Sequence, residues 1–354
     1  MIKVGICGFG YWGPNLFRNF MLHPSFAVTA VADKSKVRQE QARAINGQVL
    51  TFDDATEMID HGGIDAVAIA TPVATHYGIA AYAIRKGKHV LVEKPLCETA
   101  AQGEELVALA KCSDVALLVD HIYVFHEVTR YLKKLVTSGQ LGASSYFDSL
   151  RVNLGLFQPD VNVLWDLAPH DFSILDFLFG EEPIHIEATG FGHVNPKLAD
   201  IAYVTAHYRS RMIAHVNLSW LSPVKVRRIA IGGTKQMVVW DDLNAEERVK
   251  IYNSGIELRP EEQRFIHYRI GDIHSPRVPN KEALAGVIDE FARAIRGNRV
   301  SIVDGEHGVR IVRTLERAEK AMNRNMGVAQ SIQSLGSGLG TRAAEEQMAT
   351  FANG

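Results

Sequence analysis

Lys94, Asp166 and His170 are the side chains whose types and settings suit them to chemistry. Lys94 ends the run His89-Val90-Leu91-Val92-Glu93 and precedes Pro95, which confines the lysine's own backbone to extended conformations. An ammonium fixed at a strand end can donate to a hydroxyl or carbonyl and stabilise negative charge developing on oxygen. In Leu164-Trp165-Asp166-Leu167-Ala168-Pro169-His170-Asp171-Phe172, Asp166 and His170 stand four apart, a spacing that puts two residues on one helix face. Imidazole titrates near neutrality and can take a hydroxyl proton, while the carboxylate orients it or holds a substrate. Taken alone, such a pair is more often a structural salt link. Pro169 lies between the two, so the helix is expected to begin near it, with Asp166 in the approach and Asp171 as an N-terminal helix acid.

The elements that would hold these groups start at the first residues. Ile2 to Cys7 is short, apolar and β-branched, as a buried strand is. The stretch Gly8-Phe9-Gly10-Tyr11-Trp12-Gly13-Pro14 follows, and Leu16, Phe17, Phe20 and Met21 then recur at helical spacing. The first glycine suits a tight turn, the second a close approach of a pyrophosphate, and the third close helix-strand packing, with the helix N-terminus aimed at the phosphates. Asp33 closes a second apolar run, Ala27 to Ala32, where a carboxylate would meet the adenosine ribose hydroxyls. Short apolar runs then alternate with helical stretches, predicted at 35–46, 75–86 and 99–111, up to about Asp120, the pattern of a parallel sheet. Ligands of such sheets lie beyond the strands' carboxyl ends, so Gly8, Asp33, Thr71, Glu93 and Lys94 are expected on one rim. With a nicotinamide there, the chemistry becomes reversible hydride transfer at a carbon bearing a hydroxyl. Asp33 favours NAD, since a 2′-phosphate would meet like charge, while Lys34, Lys36 and Arg38 keep NADP open.

With 354 residues, two domains are the expectation, and a formal charge of -2 gives no electrostatic reason for nucleic acid or an anionic membrane as partner. Cys7, Cys97 and Cys112 lack metal spacing and cannot all pair, which suits a reducing, cytoplasmic setting. The histidines His121, His126, His170, His207 and His215 are scattered, so no metal is expected. Past a helix at 128–138, alternating strands are predicted at 143–153, 184–192, 201–208, 212–220, 226–232, 236–241 and 248–252, mostly in antiparallel hairpins. A helix interrupts them at 163–178, and two more follow, the first carrying Leu284, Val287, Ile288, Phe291 and Ile295 on one face and the second at 305–323. The fold class is thus an α/β Rossmann domain, 1–121, plus an α+β domain, 122–335, with a large, mostly antiparallel open sheet; 336–354 reads as a mobile tail. The open sheet's second face calls for a cover, most simply another subunit.

Gly8-Phe9-Gly10-Tyr11-Trp12-Gly13-Pro14-Asn15, Ala70-Thr71-Pro72 with His76, Glu93-Lys94-Pro95-Leu96, and Asp166 with His170-Asp171 occur in the order seen in the glucose-fructose oxidoreductase and inositol dehydrogenase family, Gfo/Idh/MocA, which the chain resembles over about residues 1 to 320. The resemblance implies an NAD(P)-dependent oxidoreductase acting on a sugar or polyol, in homodimers or homotetramers. It matches Lys94, Asp166 and His170 to the family's catalytic lysine, aspartate and histidine. It also adds Phe9, Tyr11, Trp12, Pro72 and His76 to the cofactor-binding set, and implies that Pro95 can follow a cis peptide. The Tyr-Trp-Gly-Pro-Asn loop, Arg151-Val152-Asn153-Leu154-Gly155 and Gly271-Asp272-Ile273-His274 look most like members acting on nucleotide sugars, such as UDP-N-acetylglucosamine or its uronic acid oxidised at C3. On that likeness Arg151 and Asn153 join the substrate residues. After His121 the chain reads Ile122-Tyr123-Val124-Phe125-His126-Glu127 where many relatives carry an Arg or aromatic and then Asn-Pro, so Tyr123 is a further substrate candidate and sugar preference can differ. Inositol or free-sugar dehydrogenation, sugar ketone reduction, and a catalytically silent NAD-binding sensor are the other readings.

Overall fold

The computed structural model describes residues 1–155, 157–158, 161–257, 267–297 and 301–325. The tail expected from 336 lies outside the described residues. The N-terminal half alternates strand and helix throughout: β1 (Ile2–Cys7), α1 (Gly13–Leu22), β2 (Phe26–Ala32), α2 (Lys36–Ile45), β3 (Leu50–Phe52), α3 (Ala55–His61), β4 (Ala66–Ile69), α4 (Val73–Arg85), β5 (His89–Glu93), α5 (Ala100–Cys112) and β6 (Leu117–Asp120). The six strands are all parallel in the order β3-β2-β1-β4-β5-β6, so the direction of winding reverses between β1 and β4, where a crevice opens. Val4, Ile6, Val67, Ile69, Val90 and Val92 are fully buried because helices cover both faces. The short α3 was not anticipated, because Asp54, which caps it by accepting from Thr56 and Glu57 N–H, reads equally well as a loop acid.

A 3₁₀ turn at Ile122–Phe125 leads to α6 (Glu127–Thr137), β7 (Ser144–Leu154), α7 (Val163–Phe179), β8 (His185–Phe191), β9 (Ile201–His207), β10 (Ile213–Ser219), β11 (Leu221–Gly233), β12 (Met237–Asp241) and β13 (Val249–Tyr252). The small strands β14 (Gly255–Glu257), β15 (His267–Arg269) and β16 (Ile273–His274), α8 (Ala283–Ile295) and a helix α9 at 305–325 complete the described chain. Seven of these strands join β7 in a sheet ordered β16-β13-β12-β11-β7-β10-β9-β8. It is mostly antiparallel, as expected, but β7 and β10 run parallel, since α7 and two strands intervene between them. On β9 and β10 the residues Ala202, Val204, Ala206, Ala214, Val216 and Leu218 are buried on one face. The other face presents Tyr203, Thr205, His207, Ile213, His215 and Asn217, and is therefore more polar than the apolar face envisaged from the pattern.

The expectation that α7 starts near Pro169 is corrected: it runs unbroken from Val163, with Pro169 inside. Asn162 caps it, its side-chain oxygen accepting from Leu164 and Trp165 N–H, so the start is fixed at Val163, well before the proline. Asp166 is consequently a first-turn residue.

Candidate active site

The loop after β1 is built as its glycines require. Gly8 has φ +87, and a Cβ there would lie 2.5 Å from the Ala70 carbonyl oxygen; one on Gly13 would lie 2.3 Å from the Gly8 oxygen. At Gly10 the nearest atom to an added Cβ is Arg38 Nη1 at 3.5 Å, so that glycine is not demanded by the protein's own packing. No side chain caps α1, and Pro14 sits in its first turn, so the helix N-terminus remains available to an anion. A free helix end beside a glycine kept without internal need fits a dinucleotide's pyrophosphate.

Asp33 is placed differently from a free ribose acceptor. Its Oδ2 accepts from Phe9 N–H at 2.7 Å and its Oδ1 from Ser35 N–H at 2.8 Å, so it braces the glycine loop, with Arg38 Nη1 at 3.6 Å. His76, 1% exposed, is also a brace: its Nδ1 lies 2.9 Å from the Pro95 carbonyl oxygen and its Nε2 2.8 Å from that of Thr71, tying the ends of β4 and β5 together. Trp12 donates Nε1–H to Asp120 Oδ2 at 2.9 Å, while Tyr11 is exposed. Pro72 stands just ahead of α4 on the same rim, and the Lys94-Pro95 peptide is cis.

Lys94 reaches across to the second half of the chain. Its Nζ donates to the Asp166 carbonyl oxygen at 2.6 Å and to Asp166 Oδ1 at 3.1 Å. The other carboxylate oxygen, Oδ2, accepts from Trp220 Nε1 at 3.1 Å. Asp166 thus holds the ammonium rather than the imidazole. His170, one turn on, packs edge-on against Tyr123, ring centroids 4.9 Å apart. Burial first, then the positive charges of Lys94, Arg151 and Arg227, hold its pKa well below the ordinary histidine value, which keeps it in the neutral form that can accept a proton. Next to Lys94, Glu93 and Asp120 are register partners on β5 and β6. Burial, then the Asp120 charge, pushes Glu93 well above the usual carboxylate range, and burial pushes Asp120 up to about 7.

Arg151 is buried, its Nε and Nη2 donating to Asp171 at 2.9 and 3.0 Å, and its guanidinium lies 4.6 Å from the Tyr123 ring. Its contacts are thus with the Asp171 carboxylate and the face of Tyr123. Asn153 is half-buried near the end of β7. The pattern reading missed Asp120, Trp220, Arg227 and Asp242: Arg227 lies 5.7 Å from the Tyr123 ring and donates to Asp242 at 3.0 Å. Asp120 had a signal, since it ends β6 on the same rim; Arg227 on β11, Trp220 between β10 and β11, and Asp242 just past β12 lie far along the chain, and only the packing of the mixed sheet brings them here.

The residues 2–121 match a family described as oxidoreductases with an NAD-binding Rossmann fold, and 133–329 match the C-terminal alpha/beta domain of the same family. Over 318 residues the chain is 26% identical to a UDP-N-acetylglucosamine 3-dehydrogenase of Acidithiobacillus ferrooxidans, spanning 88% of this chain and 94% of that protein. It is also 26% identical over 341 residues to an NADP(+)-dependent scyllo-inositol 2-dehydrogenase of Bacillus subtilis, 91% of this chain and 97% of the other. A solved structure of the Acidithiobacillus ferrooxidans enzyme superposes with a TM-score of 0.77 at 24% identity, covering 92% of this chain and 99% of that one.

Proposed function

Because the chain belongs to the Gfo/Idh/MocA oxidoreductase family and is an NAD(P)-dependent oxidoreductase, we propose that its substrate is a nucleotide sugar, UDP-N-acetylglucosamine or its uronic acid, oxidised at C3 with NAD. The observation that carries this reading is the meeting of Lys94, from the rim of the parallel sheet, with the helix bearing Asp166 and His170. The likeness to the UDP-N-acetylglucosamine enzyme supports the sugar class. An equal identity to the scyllo-inositol enzyme supports free inositols or sugars as the second reading.

A bound nicotinamide supplies the hydride acceptor. The Gly8 to Gly13 loop and the α1 N-terminus would hold its pyrophosphate, and the Asp33 carboxylate, at the end of β2, sets like charge against a 2′-phosphate. Lys94 polarises the reacting oxygen and stabilises its negative charge. His170, kept neutral by its surroundings, takes the hydroxyl proton through the ring nitrogen opposite its buried Nδ1. Asp166 orients Lys94 through both its carbonyl and its carboxylate. Tyr123, flanked by Arg151 and Arg227, forms the sugar-side wall. The open sheet face is the proposed homodimer or homotetramer contact.

Offering UDP-N-acetylglucosamine, its uronic acid, free sugars and inositols with NAD and with NADP, and following nicotinamide absorbance, tests the reading. Faster turnover of an inositol than of either nucleotide sugar would move the assignment to the second class.

A further inference from the structure

His170 has a buried ring nitrogen that the proposed reaction leaves without a partner. Its Nδ1 is buried and meets no donor or acceptor among the described residues. The carboxylate one turn before it cannot serve, because Asp166 Oδ1 takes Lys94 and Oδ2 takes Trp220. Beside this helix lie two further imidazoles. His121, 1% exposed, has both ring nitrogens unpartnered, and His307, 2% exposed, has Nε2 unpartnered. The two rings meet edge to face with centroids 5.0 Å apart. Tyr123, two residues beyond His121, carries the contact to His170.

A neutral imidazole always offers one N–H and one lone pair, and either one left unmatched in an interior carries its full desolvation cost. Four such nitrogens around three neighbouring rings make a polar site that water would satisfy. We propose that ordered water joins His170, His121 and His307, and that this path carries to solvent the proton His170 takes from substrate. The use of the path rests on the dehydrogenase reading; the water site does not.

Charge sets the direction. Lys94, Arg151 and Arg227 act on His170 and disfavour a cation there. At the far end His307 Nδ1 lies 2.8 Å from Asp176 Oδ2, and Arg310 donates to both oxygens of Asp176 at 2.9 and 2.8 Å. That carboxylate accepts Nδ1–H of His307, which leaves Nε2 with the lone pair that receives a proton from the water. Asp176, Arg310, Glu181 and Glu182 border a cavity of about 10 Å³, room for about one water. For each alcohol oxidised, the C–H hydride passes to the nicotinamide and the O–H proton to His170. His170 then releases Nδ1–H to the bridging water. His121 takes a proton at one ring nitrogen and gives one up at the other, and His307 takes it at Nε2 and gives up Nδ1–H toward Asp176 and solvent. Ketone reduction runs the same transfers backwards.

Two measurements on the full chain test this. A high-resolution crystal structure of the wild type should show water density within hydrogen-bonding distance of His121 and of His307 Nε2; absence of density there overturns the proposal whatever the substrate. With any alcohol the wild type oxidises, His121→Gln and His307→Gln should bind NADH as the wild type does, lose about 10-fold or more in kcat, and regain it when imidazole is added. An unchanged kcat and pH profile, or a loss that imidazole does not restore, overturns the path. A wild type that oxidises none of the alcohols overturns the substrate reading instead, and the density still decides the water site.

Discussion

The imidazole of His170, the proposed base, is held neutral by burial and by neighbouring positive charge. Burial and the cations Lys94, Arg151 and Arg227 oppose its protonation, so the neutral form persists below the ordinary histidine value of about 6.5. The acid limb of kcat/KM for alcohol oxidation is therefore expected to lie below that pH, and to move upward in Arg227→Ala; a wild-type limb at or above it contradicts the assignment. Asp120 works in the opposite sense. Its folded pKa, about 7, is raised above the ordinary 3.8, so the unfolded chain ionises first as pH rises. The stability cost is absent below the unfolded value, builds between the two, and is full above the folded one. Asp120→Asn should raise Tm at pH values above that window and give no gain below it, as thermal melts across pH would show. Such electrostatic detail was not legible beforehand: Asp120 reads as the last residue of a strand, and only its position opposite Glu93 makes it matter.

The glycine loop and α7 show what patterning can and cannot convey. The loop's fold was readable because Gly8 and Gly13 are required by backbone atoms of the loop and of β4 close beside it. Gly10 is different, and the difference is testable. Gly13→Ala should lower the melting temperature of the cofactor-free protein, since its Cβ would meet a carbonyl oxygen at 2.3 Å. Gly10→Ala should leave that temperature near wild type while weakening NADH binding; equal loss of stability from both would show that the glycines serve packing alone. In α7 the periodicity gave the span and the proline misled. Pro169 lacks an N–H and so argues for a helix boundary, but the Asn162 cap and burial of Leu164, Trp165, Ala168 and Phe172 outweigh one missing bond. Keeping Asp166 inside the helix is what lets both its carbonyl and its carboxylate face Lys94. The partnership with Trp220 had no signal in sequence, because it depends on where β10 ends relative to α7.

The two halves of the chain form the proposed site between them: cofactor binding from the parallel sheet, the proposed base and sugar-side residues from the mixed sheet and α7. The general architecture followed from the alternation of runs, whereas the parallel pairing of β7 and β10 did not, since strand spacing signals hairpins but not which strands become neighbours across a long connection. The proposed subunit contact falls on the outer face of the mixed sheet, where Tyr203 is 44% and Ile213 43% exposed. Tyr203→Asp with Ile213→Asp should reduce the mass measured by light scattering toward that of one chain; a single-chain mass already in the wild type removes the contact.

The most direct test compares the wild type with Lys94→Ala, each saturated with NAD and offered the nucleotide sugars, free sugars and inositols, with NADH binding measured in parallel. The account predicts NADH formation by the wild type with at least one of these alcohols, and a variant that binds NADH about as well while losing about 100-fold or more in kcat. A variant that turns over at the wild-type rate would contradict it.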